Sequence, residues 1–191
     1  MTKDQVNYFV PILERQGVIF EEGLAKEEII EIESLFGIQF PSDLGTFLGT
    51  RLPVSQGFID WREAIQNEEV QSSIENRLAW PMDGLLFDIE HNDFWFSSWG
   101  SKPPELQKRL RVASQNIKNQ PKLIPIYSHR YISSLPNESG NPVFSVYQTD
   151  IIYYGLNLAD YFSNEFEIIL PESFQVKKEP KEIPFWAELV S

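Results

Sequence analysis

The stretch Lys122–Gly155, KLIPIYSHRYISSLPNESGNPVFSVYQTDIIYYG, decides the fold. It holds three short runs rich in branched and aromatic residues: Leu123–Tyr127, Pro142–Tyr147 and Ile151–Tyr154. Polar residues, Gly and Pro separate them, which is the pattern of consecutive strands. Gln148-Thr149-Asp150 between the last two is short enough for a tight hairpin. Most of the chain before this block reads as helix. The expectation is therefore an α+β fold in one domain spanning 1–191. Its sheet is mainly antiparallel and comes from the C-terminal half, with helices of the N-terminal half packed against it.

Outward from the sheet, Val6, Phe9, Val10 and Leu13 share one face of a helix over residues 3–16, with Pro11 as a point of kinking. Ala25, Ile29, Ile32 and Phe36 repeat at spacings of about 4, 3 and 4, so a second helix is predicted over Ala25–Phe36. Gly37 suits its C-terminal stop, and acids in its first turn suit the positive end of the helix dipole. Pro41 is predicted to open a third helix, with Leu44, Phe47 and Leu48 on its apolar face. Val18–Phe20 reads as a link and Leu52–Asp60 as a loop, with a short strand at Gly57–Ile59.

Trp61–Leu78 is helical in composition but has few apolar positions, so this helix or helix pair is predicted to lie at the periphery and to be broken at Trp80-Pro81. Gly84–Trp95 is ambiguous between helix and irregular structure. Leu106, Leu110, Ala113 and Ile117 predict a helix opened by Pro103-Pro104 and ended at Pro121. Its other face carries Lys108, Arg109, Arg111 and Lys118, read as a solvated stripe. After the sheet, a short helix is predicted over Leu156–Asn164 and a strand over Phe166–Leu170. A solvated connector over Gln175–Pro184 and a helical turn over Phe185–Leu189 complete the chain.

The chain has 191 residues, 42% of them hydrophobic and 14% aromatic, enough to bury a core and too many for a disordered chain. It has no cysteine, so disulfides and thiolate metal sites are excluded and a reducing compartment is expected. The N-terminal stretch has no basic segment followed by an apolar run, and no segment approaches the ~20 apolar residues of a membrane span. A cytoplasmic location and no membrane partner follow as expectations. Sixteen Lys and Arg against 28 Asp and Glu give a net charge of −12. That sign opposes direct binding to a nucleic-acid backbone. It either keeps the domain soluble or attracts a basic partner.

The order of short motifs carries a resemblance. A Glu-rich helix runs into Leu35-Phe36-Gly37-Ile38-Gln39-Phe40-Pro41-Ser42-Asp43-Leu44 and then Phe47-Leu48. Gly57-Phe58, Trp61-Arg62, Phe94-Trp95, Trp99-Gly100, Leu123-Ile124-Pro125-Ile126 and Gly140-Asn141-Pro142-Val143-Phe144 follow. Together they resemble the SUKH superfamily of bacterial immunity proteins and cell-wall assembly regulator domains, over roughly Gly23 to Phe162, with 163–191 as an extension. Relatives often carry Ser or Thr where Ala25 begins the second helix. The resemblance implies a mixed α+β fold and a non-enzymatic role. Its bacterial branch implies an antidote that binds and blocks a toxin domain, often a nuclease or a nucleic-acid deaminase, encoded by an adjacent gene. Its eukaryotic branch implies a regulatory protein-interaction scaffold instead.

The candidate site is drawn from the chemistry of residues 88–99. Asp88, Glu90, His91 and Asp93 bring three acids and one of the two histidines into six residues, and Trp95 and Trp99 follow at once. Large aromatic anchors ringed by acid are what a surface for a basic protein would use. The rival readings are burial of these rings in the core and an aromatic platform for sugar. With His129 the acids could also form a divalent-metal site or a His/Asp general-base pair. They match no spacing with known mechanics, such as HExxH. The sequence has no P-loop, no G-x-G-x-x-G and no G-x-S-x-G, so no cofactor and no catalytic residue are expected.

Overall fold

A four-stranded antiparallel meander organises the molecule: β3 (Leu123–Tyr127), β4 (Arg130–Ser133), β5 (Val143–Tyr147) and β6 (Asp150–Gly155), paired in that order. The computed structural model describes residues 1–175 and 179–190. The predicted antiparallel sheet of the C-terminal half is present, with one strand more than the three expected. β4 escaped notice because all four of its residues are buried, leaving no apolar–polar alternation to read. It turns back from β3 through Ser128-His129, and β5 turns into β6 through Gln148-Thr149, so both hairpin turns lie at one end of the sheet.

Alternation along these strands sends side chains into two cores. Ile124, Ile126, Ile132 and Val143 meet α1 (Lys3–Arg15), α2 (Lys26–Phe36), α3 (Ser42–Thr50) and α6 (Leu158–Glu165) on one face. Phe162 is the hub of that core, with its ring centroid 5.6 Å from Phe9 and 4.9 Å from Phe47. Leu123, Tyr131, Phe144, Val146 and Ile151 face the other way. They meet α4 (Glu68–His91), α5 (Leu106–Ile117) and the C-terminal residues Ile183, Phe185, Trp186 and Leu189.

Local chemistry explains the helix ends. Ala25 cannot cap α2 with its side chain, but Glu28 accepts a hydrogen bond from the Ala25 amide at 2.7 Å, half of a capping box. Arg62 donates to Glu28 at 2.7 Å and to Glu21 at 2.8 Å, tying the start of α2 to β1 (Phe20–Glu22). That hydrogen bond also holds the Glu28 carboxyl below the usual carboxylate range. Gly37 ends α2 with φ of 57°, and Lys122 donates to the Phe36 and Gly37 carbonyls there. Asp43, almost fully buried in α3, accepts from the Gly140 amide at 3.0 Å and joins the FPSDL and GNPVF segments.

Several expectations are corrected. β1 and β2 (Arg51–Pro53) form a small antiparallel pair where a link and a loop were expected; three-residue strands leave little pattern. Gly57–Ile59 contributes only a single bridge, Phe58 to Tyr127. Phe166–Leu170 is not a strand: Tyr8 and Gln16 side chains take the Ile169 and Phe166 carbonyls, and Ile169 is 87% exposed. Trp61 is not peripheral but 2% exposed, packed edge-on to Phe36 and Phe40. Residues 176–178 of the expected connector lie outside the described residues, and Ile183 within it is buried rather than solvated.

The largest correction concerns α4. The helix expected over Trp61–Leu78 is a 3-10 turn, Glu63–Ile65, followed by a fresh start at Asn67. The Asn67 side chain accepts from the Glu69 and Val70 amides at 3.0 and 3.3 Å. α4 then runs for 24 residues straight through Pro81 and absorbs the ambiguous segment up to His91. A proline inside a helix leaves the carbonyl four residues earlier without its donor. Here that carbonyl belongs to Arg77, and the Tyr131 hydroxyl donates to it at 3.1 Å. Arg77 in turn donates to the Ser128 carbonyl, so α4 is tied to the β3–β4 turn as well. Among the described residues no helix is long and apolar enough to cross a membrane.

Burial pushes the Tyr131 phenol up to about 12. Its neutral form is thus favoured in the folded chain, and that stabilisation holds below pH ~10 and is lost as pH rises through about 12. Tyr131→Phe is expected to lower the unfolding free energy by about 1–3 kcal/mol at neutral pH, the cost of one buried carbonyl left without a donor. Urea titrations from pH 9 to 12 should show the gap to the parent narrowing above pH ~10, as the parent alone loses stability from this group.

Candidate protein-binding surface on the fourth helix

The last turns of α4 and the loop that follows place the residues expected to form the site, and they separate them. Asp88 faces inward and is 3% exposed. Its carboxylate accepts from the Thr149 amide at 2.9 Å and the Thr149 hydroxyl at 2.6 Å, and from the Asn92 side chain. It is a clasp between α4 and the β5–β6 turn, not part of a partner surface. A short side chain buried beside a hairpin turn has this alternative, and acidic spacing in a sequence does not reveal it.

Glu90 and His91 do reach the surface, roughly half exposed, with Glu90 Oε2 3.8 Å from His91 Nε2. The His91 ring rests on Phe87, centroids 4.4 Å apart. Asp93 lies beyond the helix with its carboxylate in solvent, but it is engaged by Lys102 and, at 3.3 Å, by Arg109. The Lys102 hydrogen bond and charge, with help from Arg109, hold the Asp93 carboxyl below its ordinary value. Two basic residues thus cancel its outward charge, and it is a poor steering group.

Trp95 and Trp99 are half-buried members of a ring cluster. Trp95 donates its indole N–H to the Gly100 carbonyl at 2.8 Å and meets Trp99 edge-on at 5.4 Å. Trp99 also meets Phe94 and Phe96 edge-on and stacks at 16° on Phe185. These rings hold the 94–100 loop against the C-terminal segment. His129 is on the β3–β4 turn, against Ser128 and Arg130. Burial, then the Arg130 charge, lowers its pKa. Among the described residues no three His, Asp or Glu side chains converge where a metal could bind.

What sequence reasoning missed lies one face round the same helix. Trp80 is 50% exposed and Phe87 45% exposed. At a separation of seven residues they share a face, with Asp83 between them and Glu90 three residues past Phe87. Reading a break at Pro81 hid this periodicity, because Trp80 and Phe87 then belong to different elements. Glu68, Glu69 and Glu75 add further exposed acids to α4. Among the described residues none of Glu68, Glu69, Glu75, Asp83 and Glu90 lies within ion-pair distance of Lys or Arg. The face therefore combines uncompensated negative charge with two exposed aromatic plates.

Comparisons with protein-family models, with curated proteins and with solved structures return no match for this chain.

The two roles of neighbouring acids separate by substitution. Asp88→Ala is expected to cost about 1–3 kcal/mol in urea unfolding, since it removes the buried carboxylate that holds the part-buried Thr149 amide and hydroxyl. Glu90→Ala, about half a turn further on and on the solvent side, should stay within about 0.5 kcal/mol of the parent.

Proposed function

We propose that the chain is a non-enzymatic immunity protein of the cytoplasm, which neutralises a basic toxin domain by covering its cationic site with the exposed face of α4. The observation that carries this reading is the grouping on one helix of exposed Trp80 and Phe87 with Asp83 and Glu90, acids that have no Lys or Arg partner among the described residues. Aromatic anchors provide desolvated contact, and the surrounding charge steers a basic partner and rejects acidic ones. The SUKH-like order of motifs supports the choice of a toxin as that partner, and the toxins of that group often act on nucleic acids. Such enzymes present a cationic cleft to their substrate, complementary to a surface of net charge −12.

The test is co-expression with the small C-terminal domain of a large secreted protein encoded beside this chain. Rescue of growth and a complex that survives purification are expected; a toxic domain with neither rescue nor binding overturns the pairing. Within such a complex, Glu90→Lys should lower the association rate roughly fivefold at low salt with little change in dissociation. The difference should fade as salt shortens the screening length. Stopped-flow fluorescence at two ionic strengths reads both effects.

A further inference from the structure

Gly84 is where the β5–β6 turn comes closest to α4. A Cβ there would lie 2.8 Å from the Gln148 Cα, so the bare backbone lets the β5–β6 turn press against the helix. Gln148 so placed lines the space between Trp80 and Phe87, which stand about 10 Å apart along the helix axis. The space between them is a cleft of about 190 Å³ lined by Trp80, Asp83, Gly84, Phe87 and Gln148.

We propose that this cleft is a socket for an arginine side chain of a partner protein. Its walls are ring systems whose faces attract cations, the indole most strongly. Its only charged lining residue is Asp83, an exposed carboxylate with no Lys or Arg partner among the described residues. A guanidinium satisfies both at once, because its plane stacks on a ring while its fork of N–H groups meets a carboxylate. A lysine ammonium carries the charge but has no plane to stack. An aliphatic side chain would desolvate Asp83 with nothing in return.

Among the described residues the chain builds this chemistry twice within itself, more loosely where Arg51 lies 5.9 Å over the Phe20 ring and pairs with Glu14 at 2.8 Å. Arg130 lies 3.6 Å over the Tyr154 ring and pairs with Glu165 at 2.7 Å. The α4 cleft offers the ring and the carboxylate without the arginine. The other exposed apolar stripe, Ile30 and Leu35 with Glu27 and Glu31 on α2, has acids and aliphatic groups but no aromatic plate. It lacks the half of the site that selects a guanidinium.

The assignment rests on α4 being the face turned toward a basic partner, but its test needs no toxin. The nitrogen-15-labelled full chain is titrated with N-acetyl-arginine-N-methylamide, and the same titration is run with the lysine and norleucine analogues. Saturable shifts confined to the Trp80 indole and the Gly84 and Gln148 amides are expected with the arginine probe. Asp83→Asn should weaken that binding about tenfold, and Trp80→Ala should abolish it, while Glu69→Gln on the same helix leaves it unchanged. All three positions are exposed, and matching thermal melts exclude misfolding. Equal shifts with norleucine, shifts spread over all exposed acids, or binding indifferent to Asp83→Asn would each overturn the socket. Failure of growth rescue in the toxin experiment bears on the immunity reading and does not move these spectra. A chain that rescues growth yet shows no localised shift overturns the socket alone.

Discussion

The bond from the Tyr131 hydroxyl to the Arg77 carbonyl lets α4 pass through Pro81 unbroken, and much of the molecule depends on that continuity. A helix stopped at Trp80 would leave Leu85 and Ile89 outside the second core. Asp88 would not reach Thr149, and the loop carrying Asp93, Trp95 and Trp99 would have no fixed starting point. The cost of a proline in a helix interior is about 3 kcal/mol. Part of it is the stranded carbonyl, and a tyrosine on the central strand of the sheet removes that part. The sheet and the helix therefore specify each other: Tyr131 is buried because α4 covers it, and α4 is continuous because Tyr131 is there.

The distribution of charge follows from a second regularity. Many basic side chains are turned to internal partners. Arg62 joins Glu21 and Glu28, Arg130 joins Glu165, Lys102 and Arg109 converge on Asp93, and Lys181 holds Glu138. Lys122 is bound to the carbonyls at the end of α2. Each clasp fixes a loop or a helix end and also removes positive charge from the outward field. Among the described residues, acids without a Lys or Arg partner remain on several elements, and those on α4 stand beside the exposed Trp80 and Phe87 rings.

How much of this could be read from the chain depends on how far each signal is local. The hairpin of β5 and β6, the first three helices and the stop at Gly37 came through because apolar periodicity and a few special residues determine them. β4 was lost because a strand buried on both faces has no alternation. α4 was lost because the rule that proline ends a helix assumes nothing supplies the missing donor, and the donor lies 54 residues away in sequence. The same distance effect governs the site. Asp88 looked like surface acid until Thr149 was placed beside it, and Asp93 looked like a free carboxylate until Lys102 and Arg109 were. Glu90 and His91, which have no distant partner among the described residues, lie at the surface as expected.

The C-terminal segment adds something to the sheet besides core residues. β6 is an outer strand, with Ile152 40% exposed, and Val190 forms a parallel bridge to Ile151 along its free side. Trp186 secures the approach by donating to the Pro121 carbonyl at 2.6 Å. An open strand edge is a template on which a second molecule can add its own strand. Val190 occupies part of that template from within, which leaves less of the edge open to a second molecule. Self-association at high concentration is thereby opposed by a backbone contact that the C-terminal segment supplies.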